Sequence, residues 1–195
     1  NKKLQQLHDE FIENTISNFY MPFGVAPNFL INEKLYSLPM TIEESSVVAA
    51  ASNAAKFWLT RGGFKTTVIS TEKIGHVHFM FKGKKNALVN FFNASRPKLL
   101  RATATLTKNM EKRGGGILDF QLNDCTSKIP HYYQLEVTFE TADAMGANFI
   151  NSCLEQIAVT FETLSKEASN LNGILPEVVM SILSNYVPNC VVRAE

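Results

Sequence analysis

Apolar residues recur at helical spacing over residues 4–16, where Leu4, Leu7, Phe11 and Ile12 fall on one face. Pro22 and Pro27 then bracket an extended region, and Asn28-Phe29-Leu30-Ile31 with Leu35-Tyr36-Ser37-Leu38 predicts a hairpin turning at Asn32-Glu33-Lys34. A second helical unit is predicted over residues 39–62. The acids Glu43 and Glu44 stand at its start and Arg61-Gly62-Gly63 at its end, the polarity a helix favours. Its interior, Val47-Val48-Ala49-Ala50-Ala51-Ser52-Asn53-Ala54-Ala55, is made of small residues. Such a helix packs very close to a neighbour or lets a ligand lie against it.

Alternation then predicts two strands, residues 64–70 and 75–81, joined as a hairpin through Thr71-Glu72-Lys73-Ile74. Residues 84–110 form a long, mostly helical stretch, interrupted at Arg96-Pro97 and ended by Gly114-Gly115-Gly116. Residues 117–122 and 132–140 read as strands, 144–168 as a helix and 177–183 as a last strand. From residue 64 the order is β-β-α-β-β-α-β. That order implies an α+β fold, a largely antiparallel sheet with helices on one face. It is not the alternating pattern of a Rossmann domain, so any dinucleotide would be held outside that fingerprint.

Composition narrows the class. The 195 residues are 45% hydrophobic and 19% charged with a net charge of +1, an ordinary globular balance with no global pull toward nucleic acid or an anionic membrane. An anionic ligand must therefore be held by a local site. No apolar run approaches the roughly 20 residues that span a bilayer. No apolar core follows the first residues, so they are not a signal peptide, and without an initiator Met the chain reads as an internal piece of something longer. Cys125, Cys153 and Cys190 are odd in number and far apart, which suits neither a disulfide framework nor a metal cluster and fits a reducing, cytoplasmic setting.

The most informative stretch is Asp143-Ala144-Met145-Gly146-Ala147-Asn148, between the strand at 132–140 and the following helix. Free amides and the positive end of a helix dipole face outward at such a start, and small residues let a phosphate or ribose approach the backbone. A plain N-cap at Asp143 explains the acid equally well. His76 and His78 alternate on one strand and share a face, but no further ligand stands at metal spacing. Lys82, Lys84 and Lys85 read as a solvated turn.

Four segments together resemble one family. They are Glu13-Asn14-Thr15-Ile16-Ser17, the run from Pro39-Met40-Thr41-Ile42-Glu43-Glu44-Ser45-Ser46 into Val47-Val48-Ala49-Ala50-Ala51-Ser52, Gly114-Gly115-Gly116, and Asp143-Ala144-Met145-Gly146-Ala147-Asn148. Their order and spacing resemble hydroxymethylglutaryl-coenzyme A reductase, in its class II form of bacteria and archaea. The resemblance implies a large domain that binds the coenzyme A ester, with a small ferredoxin-like cofactor domain inserted in it. Residues 1–63 would be large-domain chain, 64–184 the inserted NAD(P)-binding domain, and 185–195 the return into a mixed α/β large domain present only in part. The implied reaction is reduction of 3-hydroxy-3-methylglutaryl-coenzyme A to mevalonate and coenzyme A with two NAD(P)H, or its reverse, in a cytoplasmic homodimer or higher oligomer that needs no metal, nucleic acid or membrane.

The resemblance also implies roles. Glu44 matches the catalytic glutamate, a proton donor that serves at neutral pH only if burial or a like charge raises its pKa; by itself it reads as an acid favouring a helix start. Ser46 matches a serine near the substrate, or is a helix-start hydroxyl. Asp143, Met145, Gly146, Ala147 and Asn148 match the cofactor loop. Glu13 and Asn14 match a dimer-contact motif in which Ser17 replaces a glycine, so a contact needing a positive φ would be altered. Seven residues before the Gly-Gly-Gly, an NAD-using member carries an aspartate for the adenosine ribose; here Thr107 stands there, followed by Lys108. Neutral then basic favours a 2′-phosphate, hence NADPH over NADH, unless both are simply solvated helix residues. The family's lysine, aspartate and histidine would lie beyond residue 195, leaving this piece inactive alone. The rival reading is a stand-alone ferredoxin-like ligand-binding or regulatory module without catalysis.

Overall fold

The structure, a computed structural model, describes residues 3, 6, 9–11 and 13–195. Leu4, Leu7 and Ile12, which carry the apolar face expected of the first helix, lie outside the described residues, as does His8. Two compact units are present, Asn1–Thr67 with Arg193–Glu195, and Val68–Val192.

In the first unit, β1 (Phe23–Ile31) and β2 (Lys34–Thr41) form an antiparallel ribbon. Its turn is tighter than the predicted three residues: Asn32 and Glu33 both take positive φ, 48° and 67°, and Lys34 already pairs with Ile31. Pro39 pairs with Val25 and belongs to β2, so the helical unit predicted from residue 39 begins only at α1 (Val47–Leu59). A proline is tolerated there because a two-stranded ribbon leaves an outer edge on each strand. The small residues of α1 do what their size suggests. Gly24 lies against Val48, where an added Cβ would come within 3.3 Å, and Ala26 and Ala55 are buried.

The second unit is built on a four-stranded antiparallel sheet. Its strands are β4 (Lys73–Met80), β5 (Gly116–Asp124), β6 (Tyr132–Glu140) and β7 (Glu177–Leu183), in the order β5-β6-β4-β7. β3 (Thr66–Thr71) does not pair with β4, which corrects the hairpin expected there. Both edges of β4 are taken by β6 and β7, and β3 pairs instead with β8 (Cys190–Ala194), a strand that the sequence reading missed.

Strict alternation sorts the sheet. Val77, Phe79, Leu135, Val137 and Phe139 are fully buried on one face. Covering them are α2 (Lys85–Ala102), through Leu88, Phe91, Phe92 and Leu99, and α4 (Ala147–Lys166), through Ile150, Leu154, Ile157 and Phe161. Phe161 stands between Phe79 and Phe91, with ring centroids 5.1 and 5.3 Å away. Burying each such side chain contributes about 1.5–3 kcal/mol. The long helix breaks at Thr103, not at Pro97. Pro97 and Asn93, whose carbonyl it cannot meet, are both exposed, so the missing helix bond falls on the solvent side and the helix runs on. Thr103 is buried with its hydroxyl on the Leu100 carbonyl, and α3 (Ala104–Glu111) starts afresh beyond it.

Candidate functional site

The end of β6 and the start of α4 enclose a tightly specified loop. Ala142 takes φ 52° and Gly146 φ 79°, two left-handed turns within five residues. They delay the helix to Ala147, three residues later than predicted, with Gly146 at the N-cap position. Asp143 therefore does not cap α4. Its carboxylate faces Arg113, 2.6 Å away at the end of α3, in a surface pair that adds little stability. No side chain caps α4, so the amides of Ala147, Asn148 and Phe149 are left open. Met145 is 75% exposed, and Asp143 and Asn148 are exposed beside it.

Only glycine fits at position 146. A Cβ there would come within 2.5 Å of the Thr141 Cγ2, in a backbone region that costs other residues energy. The Gly-Gly-Gly turn is brought alongside. A Cβ on Gly115 would lie 2.4 Å from the Glu140 carbonyl oxygen, and Gly116 pairs with Glu140. The fold thus joins the two glycine motifs at one corner of the second unit.

Four residues that sequence reasoning missed hold this corner. Lys73 Nζ donates to Thr141 Oγ1 at 2.7 Å, and Thr141 Oγ1 donates to the Ala144 carbonyl at 2.7 Å. The Glu140 carboxylate accepts the Ala142 amide at 2.7 Å and the Thr71 hydroxyl. The Thr71 bond is the main reason the Glu140 carboxyl lies below the usual carboxylate range; the Ala142 amide and Lys73 add to it against partial burial. Glu140 and Thr141 directly precede the motif and were within reach of a local reading. Lys73 lies on another strand and had no local signal.

Thr107 is buried, with its hydroxyl toward the Ala104 carbonyl, whereas Lys108 is exposed. Of that pair, Lys108 alone has a side chain open to a phosphate from solvent.

In the first unit, Glu43 and Glu44 sit in the bend before α1, and no acid occupies its first turn. Ser46 stands at the N-cap with no capping bond; its hydroxyl donates to Glu44 Oε1 at 3.3 Å instead. Both are exposed. Glu13 and Asn14 form an exposed turn with Asn14 at φ 56°, and Ser17 does not take the positive φ that a glycine there would allow. Nearby Ile16, Phe19, Tyr20 and Phe23 are each more than 70% exposed.

His76 and His78 share the sheet face away from the helices. His76 Nε2 meets Glu136 Oε2 at 3.2 Å, and His78 Nδ1 meets the Tyr132 hydroxyl at 2.6 Å. Burial first, and His76 second, lowers the His78 pKa below its ordinary value. Among the described residues no group of three His, Cys, Asp or Glu could hold a metal ion, and no helix is long and apolar enough to cross a membrane.

The model of the family described as hydroxymethylglutaryl-coenzyme A reductase matches residues 1–195. The 3-hydroxy-3-methylglutaryl-coenzyme A reductase of Archaeoglobus fulgidus is 32% identical over 187 residues, covering 96% of this chain and 41% of that protein. Among solved structures, the Streptococcus pneumoniae reductase matches with a TM-score of 0.81 and 30% identity, over 97% of this chain and 42% of that one. A class II reductase of the same organism, bound to NADPH in open conformations, matches with a TM-score of 0.80 and 29% identity, over 97% and 43%. The chain thus spans about two fifths of the length of these relatives. With the family model matched from its first residue to its last, the chain belongs to the hydroxymethylglutaryl-coenzyme A reductase family.

Proposed function

We propose that this chain is part of a class II enzyme that reduces 3-hydroxy-3-methylglutaryl-coenzyme A to mevalonate and coenzyme A with NADPH, or runs the reverse oxidation. The observation that carries the reading is the start of α4, where open amides lie beside a glycine whose every substituent would strike Thr141. The cradle fits the phosphates of a dinucleotide. NADPH, when bound, supplies hydride. The NADPH named for the Streptococcus pneumoniae relative supports that choice, as do the neutral Thr107 where an NAD-using member has an acid and the exposed Lys108 that follows it.

On this reading Val68–Val192 is the cofactor domain. Its β-α-β-β-α-β succession and strand order β5-β6-β4-β7 support a ferredoxin-like assignment. Asn1–Thr67 and Arg193–Glu195 are then part of the substrate-binding domain. Glu44 donates a proton to the oxygen of the carbonyl that accepts hydride, and Ser46 binds the hydroxymethylglutaryl moiety while holding the Glu44 carboxyl. Glu44 is exposed in the single chain, so the dry setting a proton donor needs comes from another protomer. The exposed apolar stretch around Phe19 and the Glu13-Asn14 turn are the surface we assign to that homodimer, and the cytoplasm is its compartment.

The test is the full-length protein with both nicotinamide cofactors, beside a Glu44→Gln variant. The expected result is turnover favouring NADPH and a loss of about a hundredfold or more in the variant at unchanged stability. Unchanged activity in the variant would remove Glu44 from the reaction.

A further inference from the structure

Thr141 is fully buried at the foot of the cofactor loop, one residue beyond β6. It grips one residue, Ala144, by both of its backbone polar groups. Its carbonyl accepts the Ala144 amide at 3.1 Å, and its hydroxyl donates to the Ala144 carbonyl at 2.7 Å. The same hydroxyl accepts the Lys73 ammonium at 2.7 Å, a charge-assisted bond. Its methyl lies under Gly146, where no Cβ could stand. Neither side-chain bond belongs to the sheet ladder. Valine would fill the same space without a polar group to satisfy, so the hydroxyl and the ammonium serve the shape of the loop and not the packing beneath it.

We propose that Thr141 and Lys73 are positioning residues for the nicotinamide dinucleotide: the hydrogen-bond chain from Lys73 through Thr141 to Ala144 sets the loop so that the amides opening α4 meet the cofactor phosphates. The proposal rests on the cofactor reading above. Neither residue touches the ligand; each acts through the backbone it holds. Without the Thr141 hydroxyl the Ala144 carbonyl is released, and the half-buried Lys73 ammonium keeps only its longer bond to the Thr71 carbonyl, at 3.4 Å.

The experiment uses the full-length protein carrying Thr141→Val, Thr141→Ser or Lys73→Met. NADPH affinity is measured by fluorescence titration, KM is measured for NADPH and for the coenzyme A ester, and a thermal melt checks folding. Thr141→Val and Lys73→Met are expected to raise the Kd and KM for NADPH by about tenfold, the scale of a lost hydrogen bond to a charged group. The KM for the ester stays within about twofold, since a placement defect is confined to one ligand. Thr141→Ser keeps the hydroxyl and restores NADPH affinity. Equal NADPH affinity in wild type and folded Thr141→Val overturns the proposal alone, as does an equal rise in both KM values or a serine variant no better than valine. A wild type that binds no NADPH overturns the cofactor reading and the proposal with it.

Discussion

Replacing Gly146 by alanine strikes two separate requirements of the loop. The first is conformational. At φ 79° an L-residue places its Cβ against the following carbonyl, which costs about 1–2 kcal/mol. The second is steric. The new methyl would stand 2.5 Å from Thr141 Cγ2 and 2.9 Å from its Cβ. Thr141 is fully buried and tied by its hydroxyl, so it cannot rotate away, and overpacking of this kind costs about 1–3 kcal/mol. Together the substitution should destabilise by about 2–5 kcal/mol. Gly114 provides the control, because it has φ 84° with nothing within 4 Å of a Cβ. Gly114→Ala should lose only the conformational part, about 1–2 kcal/mol. Denaturant titration of both variants, compared at equal slope, isolates the steric part as their difference. A difference below about 0.5 kcal/mol would show that Thr141 does not press against Gly146, and the reasoning about the cradle would fail.

Two further outcomes follow from the same geometry. His78 faces Tyr132, Gln134 and His76, which itself meets Glu136, and burial first and His76 second hold its pKa below the ordinary 6.5. The unfolded chain therefore takes up this proton first as pH falls. The stability it contributes is complete above 6.5 and is lost as pH drops through that value toward the folded pKa. Ring resonances followed by NMR should titrate below 6.5, and a midpoint above it refutes the assignment. Pro97→Ala should stabilise α2 by about 1 kcal/mol or more, less than the full penalty of about 3 kcal/mol because the missing helix bond lies on the exposed side of the helix; an unchanged unfolding midpoint contradicts it.

What was legible in the chain was whatever depends on a residue's near neighbours. Val77 and Phe79, or Leu135, Val137 and Phe139, announce a strand because one face is buried and the other is not. The Asp143–Asn148 motif announces a tight turn into a helix because small residues and a glycine cluster there, and Gly146 at positive φ directly before Ala147 supplies that turn. What stayed hidden was pairing over distance. β3 looked like half of a hairpin because Thr71-Glu72-Lys73 resembles a turn, while its partner lies more than a hundred residues on in β8. Asp143 looked like a cap because nothing local shows Arg113 arriving from α3. Lys73 was read as a turn residue, and only the register of β4 against β6, Lys73 opposite Phe139, carries it to the loop.

The β3 and β8 strands mark where the chain leaves the first unit and where it comes back. At that threshold Lys65 and Glu195 exchange both backbone hydrogen bonds, at 2.8 and 2.9 Å. A doorway whose two posts are bolted together is indifferent to the size of the room behind it, since closing a longer loop adds only a logarithmic penalty. The intervening segment could be exchanged for a shorter, longer or unrelated one without disturbing the scaffold that hosts it. Whatever lies between residues 65 and 195, its two ends meet the first unit as one fastened pair.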